Sequence, residues 1–197
     1  MTTLPLNMYM PGKTAVIVGG GKVALRKVQT LLSAGASLRL TAPEICPELA
    51  ALEAEGRIVV RRGRYAADDL ENVFLAVAAT DDETVNQSVA ADAGARGILV
   101  VVADNPLSGN CTFPAVLRRG DLEIAVSTGG RCPTLATAVR DLIADLIGEQ
   151  YGAVLEGLAA EREKLLTDGN ASTYNTQVLR SLAGRLIAEL TERKDTA

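Results

Sequence analysis

The sequence contains no histidine among its 197 residues. This absence excludes the Ser-His-Asp and Cys-His nucleophile systems, hydrolases whose zinc is bound by histidine, and the usual proton shuttle near neutral pH. Acid and base chemistry must therefore be carried out by carboxylates, lysine, tyrosine or thiols.

Cysteine is scarce, with three residues that lie far apart and form no CxxC pair: Cys46, Cys111 and Cys132. An odd number of isolated cysteines is typical of a reducing compartment, and the spacing argues against a thiolate zinc site. No segment approaches the ~18 uninterrupted apolar residues of a membrane span, and no basic leader precedes a long apolar stretch. We therefore expect a cytoplasmic protein with no metal site and no membrane partner.

An excess of positive charge is missing as well, because the formal net charge is −4. A chain with this balance does not bind nucleic acid or an anionic membrane through its overall charge, so neither is expected as a partner. Any anionic ligand must be bound by local basic residues.

Short apolar runs alternate with helical patterns over the first hundred residues. The runs typical of strands are 13–18, 37–42, 58–62, 73–79 and 98–103. Apolar residues at helical spacing follow the first run up to Gly35 and recur near 47–55 and over 83–95. Because the strand runs are apolar on both faces, the pattern predicts an α/β fold with a Rossmann-type, mainly parallel sheet that is covered on both sides.

The pattern changes after Asp104. Two short runs, 115–117 and 122–127, flank the turn RRGD and predict a hairpin. Apolar residues then follow helical spacing from Pro133, and again in a C-terminal helical tail after a loop at 167–172. We expect a Rossmann domain at 1–113, a small hairpin and helix region at 114–148, and a C-terminal helical region at 149–197.

Gly19, Gly21 and Ala24 form a GxGxxA pattern directly after the first strand and at the start of a helix. In this context the first glycine permits a sharp turn, the second lets a pyrophosphate approach the backbone, and the alanine allows close helix–strand packing. The helix start adds free N–H donors for phosphate. The pattern predicts a dinucleotide site, and the alternative is a glycine turn without a ligand.

The usual ribose-binding acid is missing at the end of the second strand, where position 41 is threonine. Glu44 follows three residues later and is the candidate substitute, which favours NAD over NADP. Ligands gather beyond the carboxyl ends of parallel strands, so segments 42–44, 80–82 and 104–106 are candidate site segments as well.

Asp104 ends a fully apolar strand at this edge, where partial burial would make its carboxylate a usable base. The alternative is an aspartate that caps the turn before Asn105. Thr80 and Asp81 present a similar choice, because Asp81 or Asp82 is also placed to cap the next helix.

A second glycine-rich turn, Ser127–Arg131, precedes Pro133 at the predicted start of a helix. Its N–H groups and Arg131 are candidates for binding a carboxylate or phosphate, and the alternative is an ordinary helix cap. Arg118 and Arg119 lie at the hairpin tip, where solvated charge is the usual role.

Several ordered motifs resemble the precorrin-2 dehydrogenase family, the dehydrogenase and in some members ferrochelatase module of sirohaem synthesis. They are VGGGKVALRK (18–27), AATDDETVN (78–86) and VVADNPLSGNCTFPAVLRRGDLEIAVSTGGRCPTLA (101–136), followed by the helical tail. The resemblance covers about residues 4 to 165 and is more specific than a glycine pattern alone.

The resemblance implies NAD⁺-dependent oxidation of precorrin-2 to sirohydrochlorin by a homodimer, with 114–148 as the dimerisation region and ferrous iron as a further substrate in some members. It implies that Asp104 is the general base. Thr128 falls where some relatives carry a modifiable serine. The longer relatives continue into a methyltransferase domain, which we expect a separate protein to supply.

The same resemblance assigns Gly21, Lys22 and Val23 to the pyrophosphate turn and Pro43 and Glu44 to the contacts after the second strand. The glycine pattern adds Gly19 and Ala24 as expected cofactor contacts, and the end of the fourth strand adds Thr80 and Asp81. Because the substrate carries many carboxylates, substrate contacts are expected from Asn105, Arg118, Thr128, Gly129, Gly130 and Arg131, with Lys22, Arg26 and Arg119 as further basic candidates. The alternative function is an NAD-binding regulatory or sensor domain without catalysis, in which Asp104 has no chemical role.

Overall fold

The structure of the chain is a computed structural model that describes residues 3–167, 180–185 and 187–188. The chain divides into two compact units, Met1–Phe113 and Pro114–Ala197. The first unit carries a parallel sheet with helices, and the second begins with a hairpin that is followed by helices.

In the first unit the predicted alternation of strands and helices is confirmed. The elements are β1 (Thr14–Val18), α1 (Lys22–Ser33), β2 (Ser37–Ala42), α2 (Pro47–Ala54), β3 (Val59–Arg62), β4 (Leu75–Ala78), α3 (Glu83–Ala95) and β5 (Leu99–Val102). The strands form one parallel sheet in the order β3-β2-β1-β4-β5, which is the predicted Rossmann-type arrangement.

The sheet separates two apolar layers. Ala15 and Ile17 of β1 lie in the layer that contains α1 and α2, whereas Val16 and Val18 lie in the layer that contains α3. All four side chains are buried. Because successive side chains of a strand point to opposite faces, a run without polar positions forms a strand that is covered on both sides.

Backbone pairing places the ends of three strands in one row. Val18 of β1 pairs with Ala78 of β4, which pairs with Val102 of β5. The chain therefore leaves these strands at one edge of the sheet, which we call the carboxyl edge. Neighbouring strands lie about 4.8 Å apart, so the end of β5 is roughly 10 Å from the end of β1.

A 3-10 turn at Ala67–Leu70 lies between β3 and β4. Asp69 of this turn accepts hydrogen bonds from Arg61 Nε at 2.6 Å and from the Ala66 N–H at 3.0 Å. Arg39 Nη2 donates to the backbone carbonyl of Asp69 at 3.1 Å. These bonds fasten the turn over the polar side chains of β2 and β3, beside a cavity of about 390 Å³.

The charge of Asp69 is stabilised by its partners. Burial by itself would raise the pKa of Asp69, but hydrogen bonds from Arg61 and the Ala66 N–H, the Arg61 charge and a hydrogen bond with Thr41 together hold that pKa below its ordinary value of 3.8. A carboxyl group whose pKa is lowered by folding stabilises the fold above its unfolded pKa, and this stabilisation is lost as pH falls through the folded pKa.

The second unit begins with an antiparallel hairpin of β6 (Ala115–Arg119) and β7 (Leu122–Val126), as predicted. The helix α4 (Pro133–Leu146) packs against both strands, and α5 (Gln150–Thr167) follows it. Gly152 of α5 approaches the hairpin turn so closely that a Cβ there would lie 2.7 Å from the Arg119 carbonyl oxygen.

Arg119 is not the solvated charge that its place in the hairpin predicts. Its side chain is 16% exposed and forms an ion pair with Glu149 at 3.0 Å. Its Nε donates to the Ile147 carbonyl at 2.8 Å. The last carbonyls of a helix have no intrahelical partner, so this guanidinium satisfies the end of α4 and ties it to the hairpin.

The backbone is helical again at residues 180–185 and 187–188, within the predicted C-terminal helical tail. The rest of that tail, and residues 168–172 of the predicted loop, lie outside the described residues. Among the helices that the structure describes, none combines the length and apolar character needed to cross a membrane.

We expect Asp69→Asn to lower the free energy of unfolding by about 1–3 kcal/mol at neutral pH, because the Arg61 and Ala66 donors lose a charged acceptor. The difference from the wild type should shrink as pH falls below 3.8 and through the lowered pKa of Asp69. Urea unfolding across this pH range measures it. The control is Asp68→Asn, an exposed neighbour with the same charge change; an equal loss of stability in the two variants would contradict the prediction.

Candidate active site

The turn between β1 and α1 depends on contacts that only glycine permits. Gly19 has a φ of +128°, where a side chain is strained, and a Cβ on it would lie 2.3 Å from the Ala79 carbonyl oxygen. A Cβ on Gly20 would lie 1.9 Å from the Glu44 carbonyl oxygen. Gly20, which the GxGxxA pattern leaves unspecified, is therefore required for packing against the loop after β2.

Gly21 has a different environment, because a Cβ there would meet no atom within 4 Å. It is the N-cap residue of α1, where no side chain caps the helix and no acidic residue lies in the first turn. The first N–H groups of a helix have no intrahelical partner. The start of α1, with Lys22 and Val23 exposed, therefore presents open N–H donors and the positive helix end, which fit a dinucleotide pyrophosphate.

The start of α3 differs from that of α1, although both lie at the carboxyl edge. Asp82 Oδ1 accepts hydrogen bonds from the N–H groups of Thr84 at 2.9 Å and Val85 at 3.3 Å. Asp82 is therefore the capping residue that the sequence left open between positions 81 and 82. Asp81 is exposed and stays available at this edge.

Thr41, at the end of β2, does not take the place of the usual ribose-binding acid because it is buried. Thr41 is only 2% exposed, and its backbone carbonyl accepts a hydrogen bond from the Gly19 N–H at 2.9 Å. Pro43 and Glu44 follow in the loop and are exposed. Because the Glu44 backbone lies against Gly20, Glu44 is next to the glycine turn. Its exposed carboxylate is therefore the candidate for binding a ribose.

Asn86 of α3 connects the ends of β4 and β5. Its Oδ1 accepts hydrogen bonds from the Thr80 N–H at 3.2 Å and the Thr80 hydroxyl at 2.8 Å. Its Nδ2 donates to the Thr80 carbonyl at 3.1 Å and to Asp104 Oδ1 at 3.1 Å. Thr80 and Asp104, predicted separately from two strand ends, thus share one hydrogen-bonded network.

Asn86 was not among the residues predicted for the site, although it lies in the motif AATDDETVN. Asn86 is 1% exposed, and with Thr41 it is one of two buried polar residues among those the structure describes. A signal was present in the sequence, since asparagine is a poor helix former and lies within the predicted helix 83–95. Spacing alone does not indicate which strand ends such a side chain reaches.

The predicted partial burial of Asp104 is wrong for this chain, because the residue is exposed. β5 ends at Val102, and the backbone bends before Asp104, which carries the side chain out of the sheet. Its Oδ1 is bound by Asn86. Within the part of the chain that the structure describes, Oδ2 has no hydrogen-bond partner.

The loop that follows Asp104 is fastened to the sheet by Asn110. Its Oδ1 accepts a hydrogen bond from the Val100 N–H at 2.7 Å, and its Nδ2 donates to the Ile98 carbonyl at 3.0 Å. β5 is an edge strand, so these bonds take the place of a neighbouring strand. The loop carrying Asp104 and the exposed Asn105 therefore has a fixed return to the sheet.

The basic residues of α1 differ in their surroundings. Lys22 and Arg26 are exposed. Lys27 is half-buried, and its Nζ lies 4.5 Å from the centre of the Phe113 ring. Burial, and then the charge of Arg26, lower the pKa of Lys27. Lys27 therefore contributes to packing, whereas Lys22 is placed to meet an anion at the start of the helix.

In the second unit, the Ser127–Arg131 turn is largely bonded to itself. The Gly129 N–H donates to Ser127 Oγ at 3.2 Å, and the Cys132 N–H donates to Thr128 Oγ1 at 3.1 Å. The Arg131 N–H donates to the Thr128 carbonyl at 3.2 Å. These bonds close the turn on itself and use the N–H groups of Gly129, Arg131 and Cys132, but no side chain caps α4, whose N-cap residue is Cys132.

Arg118 and Arg131, the arginines of the second unit that were predicted to contact substrate, differ in their ion pairs. Arg118 Nε is bonded to Glu123 Oε1 across the hairpin at 2.6 Å. Arg131 is exposed and has no ion pair among the described residues. No group of three or more metal-ligating side chains is present in the described ranges of the chain.

Comparison with known proteins agrees with the glycine turn and the motifs. The family described as "Putative NAD(P)-binding" matches residues 6–115. The family described as "Sirohaem biosynthesis protein central" matches residues 119–146. These matches confirm the predicted dinucleotide-binding fold and the resemblance to sirohaem biosynthesis proteins.

Among its relatives is a sirohaem synthase of Chromobacterium violaceum, 47% identical over 152 residues, which are 77% of this chain and 32% of that protein. A sirohaem synthase of Pseudomonas entomophila is 44% identical over 166 residues, which are 84% of this chain and 36% of that protein. The chain thus spans about a third of the length of these relatives.

A solved structure, that of SirC, precorrin-2 dehydrogenase, matches 93% of this chain and 100% of its own, with a TM-score of 0.71 and 27% identity. This likeness extends over both units of the chain. The family match over residues 6–115 covers more than half of the sequence. The chain therefore belongs to the putative NAD(P)-binding family.

Proposed function

We propose that this chain is an NAD⁺-dependent dehydrogenase that oxidises precorrin-2 to sirohydrochlorin. The observation that carries the proposal is the hydrogen-bonded series Thr80–Asn86–Asp104 at the carboxyl edge, beside an uncapped helix start. The likeness to SirC, a precorrin-2 dehydrogenase, and to sirohaem synthases supports the choice of substrate.

The strand order gives the bound nucleotide a direction. In a doubly wound sheet, a dinucleotide lies across the point where the strand order reverses, with its adenosine over the second strand. Here Pro43 and Glu44 would hold that half, and Gly21, Lys22 and Val23 would hold the pyrophosphate. The nicotinamide half would then be on the side of β4 and β5, where Thr80 and Asp104 lie.

NAD⁺ bound in this direction supplies the hydride acceptor. Asp104 takes the proton that the macrocycle loses, through the oxygen that Asn86 leaves free. The balanced reaction is precorrin-2 plus NAD⁺ giving sirohydrochlorin, NADH and one proton. A single positioned carboxylate is sufficient for this chemistry, so the absence of histidine is no obstacle.

The carboxylates of the substrate need basic partners. Of the two arginines predicted to contact substrate, Arg131 is the more suitable because it is exposed and has no ion pair among the described residues, whereas Arg118 must first leave Glu123. Asn105 next to the base and the turn residues Thr128, Gly129 and Gly130 complete the proposed substrate contacts. Ferrous iron as a second substrate stays a prediction from the family resemblance.

A homodimer is the proposed assembly. Leu135, Leu142 and Leu146 of α4 are 54%, 66% and 68% exposed, and they lie along one stripe of the helix. Ala136 on the adjacent face is buried. Exposed leucines in such a stripe are typical of a surface that a second chain covers.

A non-catalytic NAD sensor is the alternative. It would bind the nucleotide at the same glycine turn but would not need a carboxylate with one free oxygen beside the nicotinamide half. Turnover of precorrin-2 therefore distinguishes the two functions.

We expect Asp104→Asn to lower the rate of NADH formation from precorrin-2 at least ~100-fold, because general base catalysis contributes about that much. The asparagine keeps an acceptor for Asn86, so NAD⁺ affinity should stay within about twofold. Anaerobic assay by NADH absorbance and NAD⁺ titration by calorimetry measure the two effects. Asp68→Asn is the control for charge, and full activity of Asp104→Asn would contradict the assigned base.

We expect Gly21→Ala to fold with an unfolding midpoint near that of the wild type, since its Cβ enters open space, but to bind NAD⁺ at least about tenfold more weakly. Gly20→Ala should instead lose stability by about 1–3 kcal/mol or more, because its Cβ would collide with the Glu44 carbonyl. Thermal unfolding and NAD⁺ titration of both variants test this. Wild-type NAD⁺ affinity in Gly21→Ala would place the pyrophosphate elsewhere.

We expect the wild type to have the mass of a dimer in light scattering and Leu142→Asp to have that of a monomer, because a charge in an apolar interface loses its water. Leu4→Asp, at another exposed leucine, is the control and should stay dimeric. A monomeric wild type, or a Leu142→Asp variant that stays dimeric, would contradict the proposed interface.

A further inference from the structure

Hydrogen bonds to Thr80 fix the orientation of the Asn86 side-chain amide as well as its position. The Thr80 N–H is a donor only, so the amide atom that faces it must be the oxygen, Oδ1. The Thr80 carbonyl is an acceptor only, so the atom that faces it must be the nitrogen, Nδ2. The two backbone groups of one residue therefore determine which way the side-chain amide of Asn86 points.

This orientation determines which group of the Asn86 amide faces the Asp104 carboxylate. Nδ2 has two hydrogens, one of which is used by the Thr80 carbonyl and the other by Asp104 Oδ1. The amide thus presents a donor, never an acceptor, to the carboxylate. Oδ1 of Asp104 accepts this hydrogen bond, and Oδ2 of Asp104 is the oxygen left to accept a proton.

The burial of Asn86 strengthens this restraint on its side chain. Asn86 is 1% exposed, its Oδ1 accepts from the Thr80 N–H, and both hydrogens of its Nδ2 are used. A buried amide that loses a partner is costly, so the side chain has few alternative positions. Asp104 itself is exposed, so the bond from Asn86 is what restrains a side chain that would otherwise be mobile in solvent.

We propose that Asn86 is a positioning residue, which fixes Asp104 relative to Thr80 and reserves Oδ2 of Asp104 for the proton of the substrate. The inference rests on the proposed dehydrogenase function and deepens it. Asn86 links the loop after β4, which would hold the nicotinamide half, to the base after β5 through one side chain of α3.

The first part of the test measures the contact without any reaction. Asn86→Asp sets two carboxylates against each other and should lower the unfolding midpoint by at least about 3 °C. Asp104→Asn in the same chain gives the exchanged pair, in which the new amide at 104 donates to the new carboxylate at 86. It should recover the part of the loss that comes from this contact, whereas the Thr80 carbonyl stays without its donor. Additive effects in this double-mutant cycle would overturn the direct contact.

The second part measures positioning. Asn86→Asp should lower kcat for NADH formation about ten- to hundredfold, because a misplaced base loses alignment, while KM for NAD⁺ stays within about twofold. The matched control is Gln87→Glu, which makes the same amide-to-acid change at the exposed next residue of α3 and should keep the wild-type kcat. The exchanged pair should regain part of the stability but not turnover, because its carboxylate lies buried at position 86.

The outcomes separate the two proposals. If the wild type forms no NADH from precorrin-2, the proposed function fails, while the unfolding cycle still tests the contact between Asn86 and Asp104. If the wild type is active and Asn86→Asp keeps its kcat, or if KM for NAD⁺ rises in step with the loss of kcat, the positioning role is overturned.

Discussion

Two parallel strand pairings, β1 with β4 and β4 with β5, determine where the candidate site of the first unit lies. They align Val18, Ala78 and Val102 in one row, so the chain leaves all three strands at the carboxyl edge. The glycine turn, Thr80 and Asp104 are distant in sequence and lie at the same edge only because of this register. A shift of one residue in either pairing would turn these side chains to the opposite face.

The helix starts at this edge serve different purposes. α3 is capped by Asp82 and is complete by itself, whereas α1 has no side-chain cap and begins at a glycine with open space before it. An uncapped helix start keeps its N–H groups available for a phosphate. The tight contacts of Gly19 and Gly20 hold the turn, and Gly21 leaves room for the ligand.

In the second unit, two polar features are bonded within the unit itself. Arg119 binds the carbonyl end of α4, and the turn before α4 bonds to itself. The unit also exposes the leucines of α4. These leucines are the reason for the proposed assembly role of the helix, and Arg131, which has no ion pair among the described residues, is the proposed basic contact for a ligand.

The sequence by itself determined the parallel fold, the glycine turn and the hairpin, because these depend on local periodicity and on residues adjacent in the chain. It also identified Asp104 and Thr80 as candidates, since each ends an apolar run. It did not identify Asn86, the need for Gly20 or the capping role of Arg119, and it was wrong about the burial of Asp104. Only the tertiary structure decided these points, because each depends on which distant backbone atoms pack against the residue, and side-chain spacing along one chain contains no record of those neighbours.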